Sequence, residues 1–121
     1  MRIFTPLAEI PRQQIWKDVV ARTVEGQHLS FAVVELSPGS VVDDHAHPNE
    51  QIGIVLHGSL TFTIGGETRV VHVGDTYNIS PGVRHRAVAG DDGAVVVDVF
   101  SPVRTDWGRF GHEEPRPPVW P

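Results

Sequence analysis

From Leu29 to Phe100 the chain breaks into short β-branched and aromatic segments at nearly even spacing, and this rhythm leaves few folds open. The segments read LSFAVVEL, QIGIVLHG, SLTFTI, ETRVVHV, TYNIS, VRHRAVA and AVVVDVF. Between them stand SPGS, the Gly65-Gly66 pair, Gly74-Asp75, SPG at 80–82 and GDDG at 90–93. Val, Ile, Thr and Phe suit a pleated, half-buried surface, whereas Gly and Pro supply the backbone angles of tight turns. About ten residues per strand and turn is the spacing of an antiparallel sandwich or barrel. No stretch carries a helical period. Within SLTFTI the pleat sends Leu60, Phe62 and Ile64 to one face and Ser59, Thr61 and Thr63 to the other, and Gly65-Gly66 then provides the positive φ of a hairpin turn.

The ends differ from this middle. Residues 1–28 contain Trp16 and the strand-like VVARTVEG, which predicts an added edge strand or an arm reaching a second subunit. From Trp107 the chain ends in PRPPVWP, and this tail is expected to form no ladder, because Pro has no N–H to donate, and to lie over a surface or stay loose. The expected organisation is one all-β domain over residues 1–121, with an arm at 1–28, a barrel at 29–103 and a tail at 104–121. A chain of this size buries roughly two thirds of its unfolded surface, enough for a core without staples.

Composition narrows the chemistry. With no cysteine there is no disulfide and no thiolate site, so a metal would be held by His nitrogen and by carboxylate or amide oxygen. Ten basic and fifteen acidic residues give a net charge of −5 with no basic cluster, which argues against nucleic acid or an anionic membrane and for a small-molecule partner. The start, MRIFTPLAEIPRQQ, lacks an unbroken apolar run behind a basic residue, and no apolar run is long enough to cross a bilayer, so a cytoplasmic location is expected.

The stretch HAHPNEQ, His45 to Gln51, gathers two imidazoles, a carboxylate and an amide. Two positions apart on an expected strand, His45 and His47 leave the same face with Cα atoms roughly 6.5 to 7 Å apart, and both can reach one ion. Pro48-Asn49 lets the chain bend, bringing Glu50 or Gln51 back toward the same point. Local sequence leaves both open: Gln51 shares a face with Gly53 and Val55, and Glu50 shares one with Ile52, Ile54 and Leu56. Further on, SPGVRH ends in His85, with small Ala87 and Ala89 on its own face leaving room around an inward ring.

These spacings resemble the two motifs of the cupin family. The first is matched by Gly39, His45, His47, Gln51 in the place of a Glu, and Gly58; the second by Gly74, Ser80 in a Pro place, Pro81, Gly82, His85, and Ala89 in an Asn place. The resemblance covers roughly residues 29 to 103. It implies a small jelly-roll β-barrel, often paired as a homodimer, with one divalent metal ion held by His45, His47, Gln51 and His85. Three imidazoles and an amide leave the cation its full charge. Such a site binds metal less tightly than one with a carboxylate, polarises a substrate oxygen more strongly and favours an anionic substrate. Zinc, nickel, iron and manganese all suit these donors.

HPNEQ followed by IGIVLHGSL, and the later DVFSPVR, are similar to the KdgF-type cupins of pectin and alginate breakdown, which open 4,5-unsaturated monouronates to linear keto acids. That resemblance implies Asp98, Phe100 and Arg104 as the catalytic set, an amide as the metal ligand and a sugar acid as substrate. Physical chemistry gives each a role. Asp98 alternates onto a face with Val96 and Phe100, and a carboxylate there needs a cation or donor to compensate burial. It would serve as general acid or base, Arg104 would clamp the substrate carboxylate and Phe100 would pack against the sugar ring.

Plainer readings stand beside these. Asp98 could pair structurally with Arg69, Arg84 or Arg86, and Arg104 could be a surface cation. His57 is read as structural, His28, His72 and His112 carry no signal, Glu113-Glu114 is a solvated pair, and Trp16, Trp107 and Trp120 are packing or interface residues. Other cupin-type functions on the same barrel would be a mononuclear metal dioxygenase, a polyketide-type cyclase or isomerase, or a non-catalytic binder of metal or sugar acid.

Overall fold

A computed structural model describes residues 2–121 as nine antiparallel strands: β1 (Arg12–Trp16), β2 (Val19–Glu25), β3 (Ser30–Leu36), β4 (Val41–His45), β5 (Glu50–Ile64), β6 (Glu67–His72), β7 (Thr76–Ile79), β8 (His85–Ser101) and β9 (His112–Glu113). Among the described residues the only helical turns are 3-10 segments at Leu7–Glu9 and Asp106–Arg109, and no helix is long and apolar enough to cross a membrane. The ladder runs β6-β5-β8-β3-β2-β1-β9, with β4 added on β8 and β7 on β5.

Two long strands fold this ladder into a double layer. The first half of β5 pairs with the second half of β8, from Glu50↔Ser101 to Gly58↔Ala94; its second half pairs with the first half of β8, from Leu60↔Ala89 to Ile64↔His85. Each strand thus serves both layers, and the register slips between Val55 and His57 and between Gly58 and Leu60 where it bends. Gly58 and Gly93 meet at the bend, both with positive φ, and a Cβ on Gly58 would collide with the Gly93 carbonyl. QIGIVLHG and SLTFTI are therefore one strand, and β8 runs through GDDG, where a turn was expected, because a bulge bends a ladder without ending it. The slip also turns His57 outward, away from the face of Gln51.

The inner faces form the core. Val19, Ala32, Val55, Leu60, Ile79 and Val96 are buried, and Phe62 joins them as its alternation with Leu60 predicts. VVARTVEG is β2, an inner strand between β3 and β1 and not an edge. The tail also departs from expectation. His112 and Glu113 precede the prolines, keep their N–H groups and pair with Gln13 and Arg12 of β1. Glu113 is ion-paired with Arg12 at 2.9 Å, where a merely solvated pair was expected. Beyond it, Arg22 donates to the Arg116 carbonyl at 2.8 Å and the Val119 N–H donates to Glu35 at 2.6 Å, strapping the tail across the outer face.

Candidate metal centre and active site

Pairing of β4 with the start of β8 places His45 directly opposite His85. Their ring centroids lie 4.3 Å apart. His45 and His47 were expected on one strand, but β4 ends at His45 and the chain then bends through Pro48-Asn49, leaving His47 beyond it. The bend is held by Asn49, whose Nδ2 donates to the Pro102 carbonyl at 2.7 Å, and by the Gly82 N–H, which donates to the His47 carbonyl at 2.9 Å. It returns the His47 ring to within 4.9 Å of His85 and 5.8 Å of His45. The histidine ligand atoms then fall within 4.8 Å of one another.

The donor chemistry fits a divalent cation. Nδ1 of His45, His47 and His85 each faces a backbone carbonyl two residues away in sequence: Asp43 at 2.7 Å, Asn49 at 3.0 Å and Val83 at 2.9 Å. A carbonyl only accepts, so Nδ1 of His45 and of His85 carries the proton and Nε2 is left as a free lone pair, the tautomer a metal-binding imidazole needs, whereas both ring nitrogens of His47 face oxygen acceptors, the Asn49 carbonyl and Gln51 Oε1. Burial pushes all three rings below the usual histidine range, His85 to about 4, with the Arg104 charge adding to the effect, so the rings are neutral near pH 7. Of the two residues weighed beside the histidines, Glu50 is exposed, whereas Gln51 is buried with its Oε1 2.9 Å from His47 Nε2.

Asp98 lies inward on β8 and is buried, as is Phe100 two residues on. None of the arginines weighed as structural partners neutralises it: Arg84 bonds Asp44 and Arg69 bonds Glu67, both at the surface, and Arg86 is exposed. Its partners are Tyr77, whose hydroxyl donates to Oδ1 at 2.5 Å, and the Gln51 amide. Burial raises the Asp98 carboxyl to about 6, against the opposing pull of those two hydrogen bonds and the Arg104 charge.

Arg104 is no surface cation. It is 7 % exposed, and its guanidinium lies 4.3 Å from the Trp107 ring and 5.0 Å from that of Phe100. Nε and Nη2 donate to the two oxygens of Asp106 at 2.8 and 3.1 Å, which occupies one edge of the fork. Burial pushes the Asp106 carboxyl up, but the Arg104 hydrogen bonds and charge, together with a backbone hydrogen bond, hold it below the usual carboxylate range. His45, Gln51, His85, Asp98, Phe100 and Arg104 all line one cavity.

Sequence reasoning missed four contributors. Tyr77 appeared only as a strand residue in TYNIS, although its parity with Ile79 was an inward signal. Trp16 and Trp107, read as packing residues, also line the cavity: Trp16 sits 5.3 Å from the His45 ring, and Trp107 stands edge-on to Phe100 at 5.4 Å. Asp106, two residues beyond Arg104, was visible as an acid near a base but had no sequence signal for its bidentate geometry.

A bent double-layered barrel with an inward histidine triplet at one end defines a cupin. The chain belongs to the cupin family, whose domain model matches residues 32–100. It is 34 % identical over 80 residues to the pectin degradation protein KdgF of Dickeya dadantii, covering 65 % of this chain and 73 % of that one. The solved structure of KdgF from a Halomonas species shares 28 % identity with a TM-score of 0.80, covering 88 % of this chain and 98 % of that one. An RmlC-like cupin from Shewanella frigidimarina, 24 % identical, shares the fold with a TM-score of 0.82 over 88 % of this chain and 96 % of its own. Within the family this is a KdgF-like cupin.

Proposed function

We propose that this protein opens the ring of a 4,5-unsaturated uronate monosaccharide and releases the linear keto acid, using one divalent cation held by His45, His47, Gln51 and His85. The observation that carries this reading is the meeting of a histidine cluster, through His45 and His85, with Gln51, a buried carboxyl and a buried guanidinium in the wall of one cavity. Relatedness to KdgF proteins of pectin degradation supports the substrate class. A cation bound there supplies Lewis-acid polarisation of a substrate oxygen.

The chain's own groups divide the remaining work. Arg104 binds the substrate carboxylate through the edge of its fork that Asp106 leaves open. Phe100 and Trp107 wall the cavity and keep water from the sugar ring. Asp98 carries the proton. The anomeric hydroxyl loses a proton as the bond from C1 to the ring oxygen breaks and the freed ring oxygen gains one, giving an aldehyde and an enol. The enol hydroxyl then loses its proton while C4 gains one, giving the ketone. No electrons leave or enter, and the product is an isomer of the substrate.

Two further readings belong to the proposal. The absence of cysteine suits a reducing cytoplasm. The outer sheet face exposes Ile52 beside Ile54, Val97 and Val99, an apolar patch suited to a homodimer, which sedimentation at micromolar concentration would reveal. The activity itself is tested by incubating metal-loaded protein with 4,5-unsaturated galacturonate and following loss of the ultraviolet absorbance of its double bond. Acceleration that chelation abolishes is expected; a rate equal to the spontaneous one overturns the proposal.

A further inference from the structure

Gly53 lies at the centre of a contact that crosses its own strand. In the ladder it faces Tyr77 of β7 on one side and Asp98 of β8 on the other. The two outer strands of such a triplet stand roughly 9.5 Å apart, so their side chains meet only by leaning over the residue between them. Here they do meet, with the Tyr77 hydroxyl donating to Asp98 Oδ1 at 2.5 Å. A Cβ on Gly53 would stand 2.5 Å from Asp98 Oδ1 and 2.5 Å from both Cζ and the hydroxyl oxygen of Tyr77. Gly53 is absent from the glycines with positive φ, so its backbone angles do not call for glycine. Space does.

The same carboxyl accepts from the Gln51 amide. An amide nitrogen only donates, so a Gln51 Nε2 committed to Asp98 leaves Oε1 facing His47, where it stands. A line of contacts therefore runs from Tyr77 through Asp98 and Gln51 to the histidine cluster, with Gly53 as the gap beneath its first link. Outer partners of this kind orient metal ligands as well as reacting groups.

We infer that Gly53 and Tyr77 form a clamp that fixes the Asp98 carboxyl, and are positioning residues for proton transfer in this site. The inference rests on the role proposed above for Asp98. Tyr77 is the chain's single tyrosine, so the full-length protein labelled with tyrosine carrying ¹³C at Cζ gives one phenol resonance. Asp98→Ala is expected to shift that resonance, and an unmoved resonance overturns the clamp. Tyr77→Phe is expected to lower kcat about ten- to a hundredfold, with KM changed less than about twofold and metal content unchanged. Wild-type kcat, or a parallel loss of metal, would overturn the positioning role. Gly53→Ala is expected to show the same loss of kcat with a shifted phenol resonance. Should that variant not fold, the other two decide the matter. Wild-type protein inert toward the uronate would sink the proposed reaction, and the resonance would then decide the clamp alone.

Discussion

Replacing Arg104 by Lys separates charge from geometry at the mouth of the cavity. Arg104→Lys keeps the positive charge but removes the planar fork that serves Asp106 on one edge and, in the proposed reaction, the substrate carboxylate on the other. The loss of one charge-assisted hydrogen bond to the substrate costs about 1.5 to 3 kcal/mol, which at tenfold per 1.4 kcal/mol is a rise in KM of about 10- to 150-fold. Stability should change far less. Asp106 has a side chain 45 % exposed, so water replaces much of what the pair contributes, and the loss there is about 1 kcal/mol or below. Weaker stacking on Trp107 and Phe100 adds about 1 kcal/mol. Steady-state kinetics with the unsaturated uronate, run beside urea unfolding and metal analysis, read these effects separately. A folded, metal-loaded Arg104→Lys protein with KM within twofold of wild type would refute the clamp.

Other expectations follow from the same geometry. Asp98→Asn should lower kcat by about 10² to 10⁴ with metal content unchanged, and turnover at the wild-type rate would remove Asp98 as proton carrier. Leu60→Ala, at a side chain 2 % exposed beside the glycine bend, should cost about 2 to 5 kcal/mol in denaturant unfolding; a loss below 1 kcal/mol would show that the bend repacks. Burial, then the charge and hydrogen bond of Asp98, raise the Tyr77 phenol well above 10. Stability linked to this group is thus complete below about pH 10 and falls as pH rises further, because the unfolded chain ionises first. Phenolate absorbance should appear near pH 10 in urea and be absent at that pH in the folded protein, and coincident titrations would contradict this burial.

Much of this was legible because strands carry a strict period of two. Alternation alone put Leu60 and Phe62 inside and set Gln51 apart from Glu50, and the spacing from His45 to Gln51 held although His47 sits beyond the strand end. What escaped depended on register between distant segments. Gly53 lies between Tyr77 and Asp98 only after β5 has paired with both β7 and β8, and no local pattern fixes that alignment. GDDG carries every mark of a turn, yet two glycines meeting at Gly58 and Gly93 let the ladder bend through it. The tail's prolines hid two earlier residues with free N–H groups, and the edge of β1 was there to take them.

Titrating metal-free protein with a divalent cation, while watching the histidine ring nitrogens by ¹⁵N NMR, bears most directly on the site. One cation per chain is predicted, with Nε2 of His45, His47 and His85 shifting together while every Nδ1 keeps its proton. Binding that leaves any of these rings unperturbed, or no saturable binding at all, would contradict the account.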